Sequence, residues 1–172
     1  MSPDEDDVQP LLPLDLLGAL NRHDVEFVVI GGFALSAHDA IRATKDIDIV
    51  PDPSPANLDR LWAALVDLDA APFTIADFDP IEHPLEWERA SFGFGGNWLL
   101  ATRLGRLDIL QYVSGVDGFD QLRQNAVPTL TDISGRIWMA GRDDLIAMKR
   151  AAGRPQDLVD IERLERRASR DE

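Results

Sequence analysis

The chain has 172 residues, with 17 Lys and Arg against 31 Asp and Glu and no Cys. That length suits one domain of the usual ~100–200 residues, and the missing cysteine removes disulfides, Cys-based zinc sites and thiol nucleophiles together. A formal net charge of −14 argues against a non-specific grip on nucleic acid, whose backbone is held by Lys and Arg, so an anionic substrate would need a local basic patch or a metal ion. No run nears the ~20 apolar residues of a membrane helix, and the acidic start is unlike a signal peptide. The expectation is a cytoplasmic protein with no membrane contact.

Residues 1–10 hold Asp4, Glu5, Asp6 and Asp7 with two prolines, and read as a disordered acidic tail ahead of a single domain over 11–172. Leu12, Leu16, Leu17 and Leu20 recur at helical spacing, and the helix they predict ends near residues 21–24. Phe27-Val28-Val29-Ile30 is a short, branched apolar run, the pattern of a buried strand. It stops at Gly31-Gly32, and a helix is predicted over 33–40. Asp46-Ile47-Asp48-Ile49-Val50 alternates with strand period. Ser54-Pro55 then opens a helix whose apolar face is Leu58, Leu61, Trp62, Leu65 and Val66.

Residues 70–87, with Pro72, Pro80 and Pro84, read as a loop with one short strand at 73–75. Runs at 89–94, 97–103 and 106–112, separated by Gly95-Gly96 and Gly105, predict an antiparallel meander. A short helix is predicted at 119–125, a strand at 137–139, and a C-terminal helical pair over 142–168, whose second member starts at Pro155.

Asp46 and Asp48 lie two apart on a predicted strand, so both carboxylates leave the same face while Ile47 and Ile49 enter the core. Adjacent acids raise each other's pKa unless a cation sits between them, and Mg²⁺ takes such oxygen ligands together with substrate phosphates. Asp108, in the alternating run Arg106-Leu107-Asp108-Ile109-Leu110, joins the cluster if that strand lies alongside. Three acids can hold two ions ~3.5–4 Å apart, the arrangement of an in-line phosphoryl displacement. Upstream, Gly31-Gly32 lets backbone approach a phosphate at the opening of a helix, and Ser36 offers a hydroxyl one turn on. No Gly-Lys-Ser/Thr follows, and the third glycine of a dinucleotide loop is missing. Arg42 and Lys45, just before the acid pair, either steer a triphosphate or only balance local acids. Lys149 and Arg154 either neutralise phosphate or pair with Asp144, Asp157 or Asp160.

Ile30-Gly31-Gly32, thirteen intervening residues and then Asp46-Ile47-Asp48-Ile49, with Asp108 as a later strand acid, resembles the signature of the DNA polymerase β-like nucleotidyltransferase superfamily. The stretch Asp144-Leu145-Ile146-Ala147-Met148-Lys149, followed by Arg154-Pro155-Gln156-Asp157-Leu158 and Asp160, resembles the end of small bacterial members akin to the AbiEii-type toxins. The resemblance implies an α/β fold with a mixed sheet flanked by helices. It also implies two Mg²⁺ ions and transfer of a nucleoside monophosphate from an NTP to an acceptor hydroxyl. Asp46, Asp48 and Asp108 would be the catalytic metal ligands, with Asp108 activating the acceptor. Gly31 and Gly32 would hold the triphosphate.

Three functions follow from these residues. In the first the acceptor is tRNA or another macromolecule, and the protein is a toxin with an antitoxin partner. In the second the acceptor is a small molecule, for instance a cationic aminoglycoside drawn to the acidic surface. In the third the fold is a non-catalytic nucleotide- or protein-binding module.

Overall fold

A computed structural model describes residues 9–40, 42–72 and 86–168 of the chain. Its centre is a seven-stranded mixed sheet in the order β3-β4-β5-β2-β1-β7-β6. The strands are β1 (Phe27–Ile30), β2 (Asp46–Pro51), β3 (Ala71–Pro72), β4 (Asn97–Thr102), β5 (Gly105–Leu110), β6 (Val127–Thr131) and β7 (Gly135–Met139). The helices are α1 (Pro13–Arg22), α2 (Gly31–Ala34), α3 (Pro55–Asp67), α4 (Phe119–Asn125), α5 (Arg142–Ala152) and α6 (Pro155–Ala168). The predicted architecture is the observed one: a mixed α/β fold ending in a helical pair. No helix among the described residues is long and apolar enough to cross a membrane.

The apolar periodicities find their partners in one core. All four residues of β1 are buried, as an internal strand flanked by β2 and β7 requires. Leu16, Leu17 and Leu20 of α1 pack in the same cluster as Leu58, Leu61 and Leu65 of α3 and Ile47 and Ile49 of β2. Asn57, fully buried at the start of α3, donates to the Glu26 and Asp52 carbonyls and accepts from the Glu26 amide. It thereby satisfies backbone groups that the helix–strand junction would otherwise leave bare.

Four sequence expectations change in the structure. The predicted helix over 33–40 is a single α turn starting at Gly31, followed by a 3₁₀ turn over Leu35–His38. Asp39 ends it with a φ of 54°, and the His38 ring pairs with the Ala140 carbonyl at 2.8 Å. The run 89–94 is a 3₁₀ turn, because the edge of β4 away from β5 is taken by β3 and Phe92 folds inward to stack on Trp98. Strand β5 stops at Leu110, where the Asn97 side-chain oxygen takes the Gln111 and Tyr112 amides at 3.1 and 3.3 Å. β6 was not anticipated: Pro128 lowers its strand signal, and the strand is tolerated because it lies at the sheet edge. The short strand expected at 73–75 lies outside the described residues.

Candidate active site

Strands β2 and β5 run parallel in a register that sets Asp46 beside Arg106 and Asp48 beside Asp108. Side chains alternate along both strands, so these four groups share one face while Ile47, Ile49, Leu107 and Ile109 are fully buried on the other. On the far side of β2, Ile30 pairs with Asp48, and the chain turns at Gly31 with a φ of +66°. A Cβ at Gly31 would fall on the Asp48 carboxylate. Glycine is therefore demanded twice there, by the left-handed backbone and by the acid that fills its side-chain space.

This face is electrostatically tense. Burial, and then the neighbouring Asp46 charge, raises the Asp48 pKa to about 7. Burial, and then Asp48, raises Asp108 to about 8. The cation between the outer carboxylates is a guanidinium: Arg106 Nη2 stands 3.7 Å from both Asp46 Oδ2 and Asp108 Oδ2. Thr44 Oγ1 donates to Asp46 Oδ1 at 3.0 Å. The buried Oδ1 of Asp108 accepts no hydrogen bond from the described residues. As the side chains stand, no three described His, Asp or Glu residues could hold one ion.

The opposite wall comes from α5 and α6. Lys149 Nζ bonds the fully buried Asp160 at 2.8 Å and lies 3.6 Å from Asp157. Arg42 Nε reaches Asp160 at 3.2 Å from the loop before β2. Burial pushes Asp157 up, but hydrogen bonds from the Arg154 side chain and backbone outweigh it and hold the carboxyl below its usual range. Asp144 is taken instead by Gln121 and Asn125, at 2.6 and 3.0 Å.

Between the two walls is a cavity of about 610 Å³. It brings together Gly31, Gly32, Arg42, Asp46, Asp48, Asp108 and Lys149 from the sequence-derived set. Ser36 and Lys45 do not line it: the Ser36 hydroxyl donates to the Phe33 carbonyl at 2.8 Å, and Lys45 is exposed. Sequence reasoning did not select Arg106, Asp157 or Tyr112, which also line the cavity. The signal for Arg106 was present, since Arg106-x-Asp108 on an alternating strand places both on one face.

No family model matches the chain, and no curated protein matches it. Solved structures of the nucleotidyltransferase ANT(2'')-Ia do. The crystal structure of that protein in complex with adenylyl-2''-tobramycin superposes with a TM-score of 0.52 at 13% identity, over 87% of this chain and 83% of that one. Its solution structure, described as an antibiotic-resistance factor, gives 0.53 at 13% identity, over 87% and 78%. The chain has a nucleotidyltransferase fold. At this identity the likeness speaks of the fold, and the site must be argued from its own residues.

Proposed function

We propose that this protein is a nucleotidyltransferase that moves a nucleoside monophosphate from an NTP to a hydroxyl of a small molecule and releases pyrophosphate. One observation carries the reading: Asp46, Asp48 and Asp108 stand in register on one wall of a cavity that Gly31, Gly32 and Lys149 also line.

The donor set supports Mg²⁺. Three carboxylates offer only hard oxygen ligands, and the bare, buried Oδ1 of Asp108 lacks a partner that a cation would supply. Asp46, Asp48 and Asp108 would hold two Mg²⁺ ions only after their side chains close in from the positions they take here; when bound, the ions would neutralise triphosphate charge and make the acceptor hydroxyl more acidic. The backbone at Gly31 and Gly32 receives the triphosphate, with Arg42 and Lys149 as the facing cations. The acceptor oxygen attacks the α-phosphorus, forming the new O–P bond as the bond to pyrophosphate breaks. The hydroxyl proton passes to the Asp108 carboxylate, which has to be ionised both to hold a cation and to accept a proton. Ser36 and Lys45 take no part in this assignment.

A small acceptor is favoured over tRNA by charge. A polyanion needs many exposed cations, yet Arg150 pairs with Glu165 and Arg166 with Glu162 on the C-terminal helices, and the whole chain carries −14. The decisive experiment incubates the protein with Mg²⁺, each α-labelled NTP, a panel of small alcohols and total RNA, with Asp48→Asn alongside. Label on a small product in the wild type alone is expected. Label on RNA would replace this acceptor with tRNA or a similar macromolecule. Nucleotide binding without any transfer would leave a binding module.

A further inference from the structure

The cavity is chemically two-sided. Its charged side holds four acids, Asp46, Asp48, Asp108 and Asp157, against four cations, Arg42, Arg106, Lys149 and Arg154. Arg106 faces Asp46 and Asp108, and Lys149 and Arg154 face Asp157. Three of these acids already face a cation, and the fourth, Asp48, is assigned to the metal in the reading above, so no lining carboxylate is set aside for an ammonium group. Burying such a group without an acid partner is costly.

The other side is apolar. Asp108 pairs across the sheet with Leu99, and past Asp108 β5 ends at Leu110 and the chain runs on to Tyr112, away from the Gly31–Gly32 end. Leu99, Leu110 and Tyr112 line the cavity with Val113 and Met148. Tyr112 is 69% exposed but not loosely placed. Its amide is held by Asn97, the preceding Gln111 side chain donates to the Phe92 carbonyl at 3.0 Å, and its ring lies against Gly95. A Cβ there would come within 2.8 Å of the ring, and the Gly95 φ is +82°. An aromatic ring anchored at an open mouth beside an apolar wall offers a contact surface at little conformational cost.

We propose that Tyr112, with Leu99, Leu110 and Met148, forms the acceptor end of the cavity and takes an uncharged, hydroxyl-bearing molecule with an aromatic or flat apolar ring, not a polycation. The inference rests on the small-molecule reading above and narrows it. The ring packs on Tyr112 and the apolar wall, which brings its hydroxyl toward Asp108.

Tyr112 is the chain's single tyrosine, so the full-length protein grown with 3-fluorotyrosine gives one fluorine resonance that reports on it alone. With Mg²⁺ and a non-hydrolysable ATP analogue present, 4-nitrophenyl β-D-glucoside is expected to shift that resonance saturably. Methyl β-D-glucoside, lacking the ring, and tobramycin, a polycation, are expected to leave it in place. By calorimetry, Tyr112→Ala should weaken nitrophenyl glucoside binding roughly tenfold while Tyr112→Phe retains it, with thermal midpoints and nucleotide affinity unchanged in both. A shift with tobramycin, no shift with the nitrophenyl glucoside, or equal binding by Tyr112→Ala would overturn the proposal. The two readings fail separately. Transfer of label to tobramycin sinks this inference and keeps the chemistry, whereas a fluorine shift with no transfer from any NTP keeps the acceptor end and sinks the chemistry.

Discussion

The Asp48 carboxylate occupies the space in which a side chain on residue 31 would begin. A methyl there meets both a left-handed backbone and the half-buried Asp48 carboxylate, so Gly31→Ala is expected to cost at least ~2 kcal/mol and to abolish transfer by moving Asp48. Gly93→Ala is the control, since a Cβ there meets nothing within 4 Å; it should lie within about 0.5 kcal/mol of wild type. Urea titrations of the two variants decide the matter, and equal losses would remove the steric account.

Stability should fall with rising pH. The Asp48 and Asp108 pKa values, about 7 and 8 against 3.8 in the unfolded chain, mean that the folded state binds more protons between pH 4 and 8. Their contribution is full below the unfolded value and lost as pH passes the folded ones. Asp157, shifted the other way, takes stability away only as the solution becomes strongly acidic. A linked change of ~2 kcal/mol from pH 5 to 8.5 would lower the thermal midpoint by roughly 4–8 °C. Millimolar Mg²⁺ should restore more of it at pH 8 than at pH 5.5, because ligating carboxylates must be ionised. Scanning calorimetry at both pH values tests this, and a flat profile would defeat it.

Asp48→Asn separates stability from function. Removing an acid whose ionisation is opposed by burial should raise the midpoint at pH 8, while transfer activity and the Mg²⁺-dependent midpoint shift both disappear. An asparagine variant less stable than wild type at pH 8 would mean that the charge is better compensated than its surroundings indicate.

Lys149 and Asp160 are a buried pair at 2.8 Å. Lys149→Met leaves the fully buried Asp160 with Arg42 as its remaining cation, so the loss is expected at ~2 kcal/mol, below that of a buried charge left with no partner. Neutralising both, as Lys149→Met with Asp160→Asn, should recover part of it. A double-mutant cycle by denaturant unfolding reads the coupling, which should exceed ~1 kcal/mol.

Much of this site could be read from residue order alone. Alternation in Asp46-Ile47-Asp48-Ile49 places two acids on one face whatever the tertiary context, and the same alternation carries Asp108. What alternation cannot supply is register: Arg106 facing Asp46 follows from parallel pairing of positions 60 residues apart. The glycine turn was legible as a bend but not as a slot for Asp48, because that requires knowing which neighbour β1 lies against. Ser36 and Lys45 illustrate the converse. Both lie close to the glycine and acid motifs in sequence, yet the Ser36 hydroxyl is spent on the Phe33 carbonyl and Lys45 is exposed outside the cavity. Phe92 reads as a strand aromatic until Trp98 is known to stack on it.

The buried carboxylate of Asp160 joins α6 to two cations that arise far from it in the chain, Arg42 before β2 and Lys149 on α5. Those same two cations open onto the cavity. On the function proposed above, an incoming triphosphate and the last helix would compete for one pair of positive charges, and whatever the ligand gained from them would be withdrawn from the anchorage of the C-terminal helix. Occupancy of the cavity would then be written into how firmly the helix that walls it is moored.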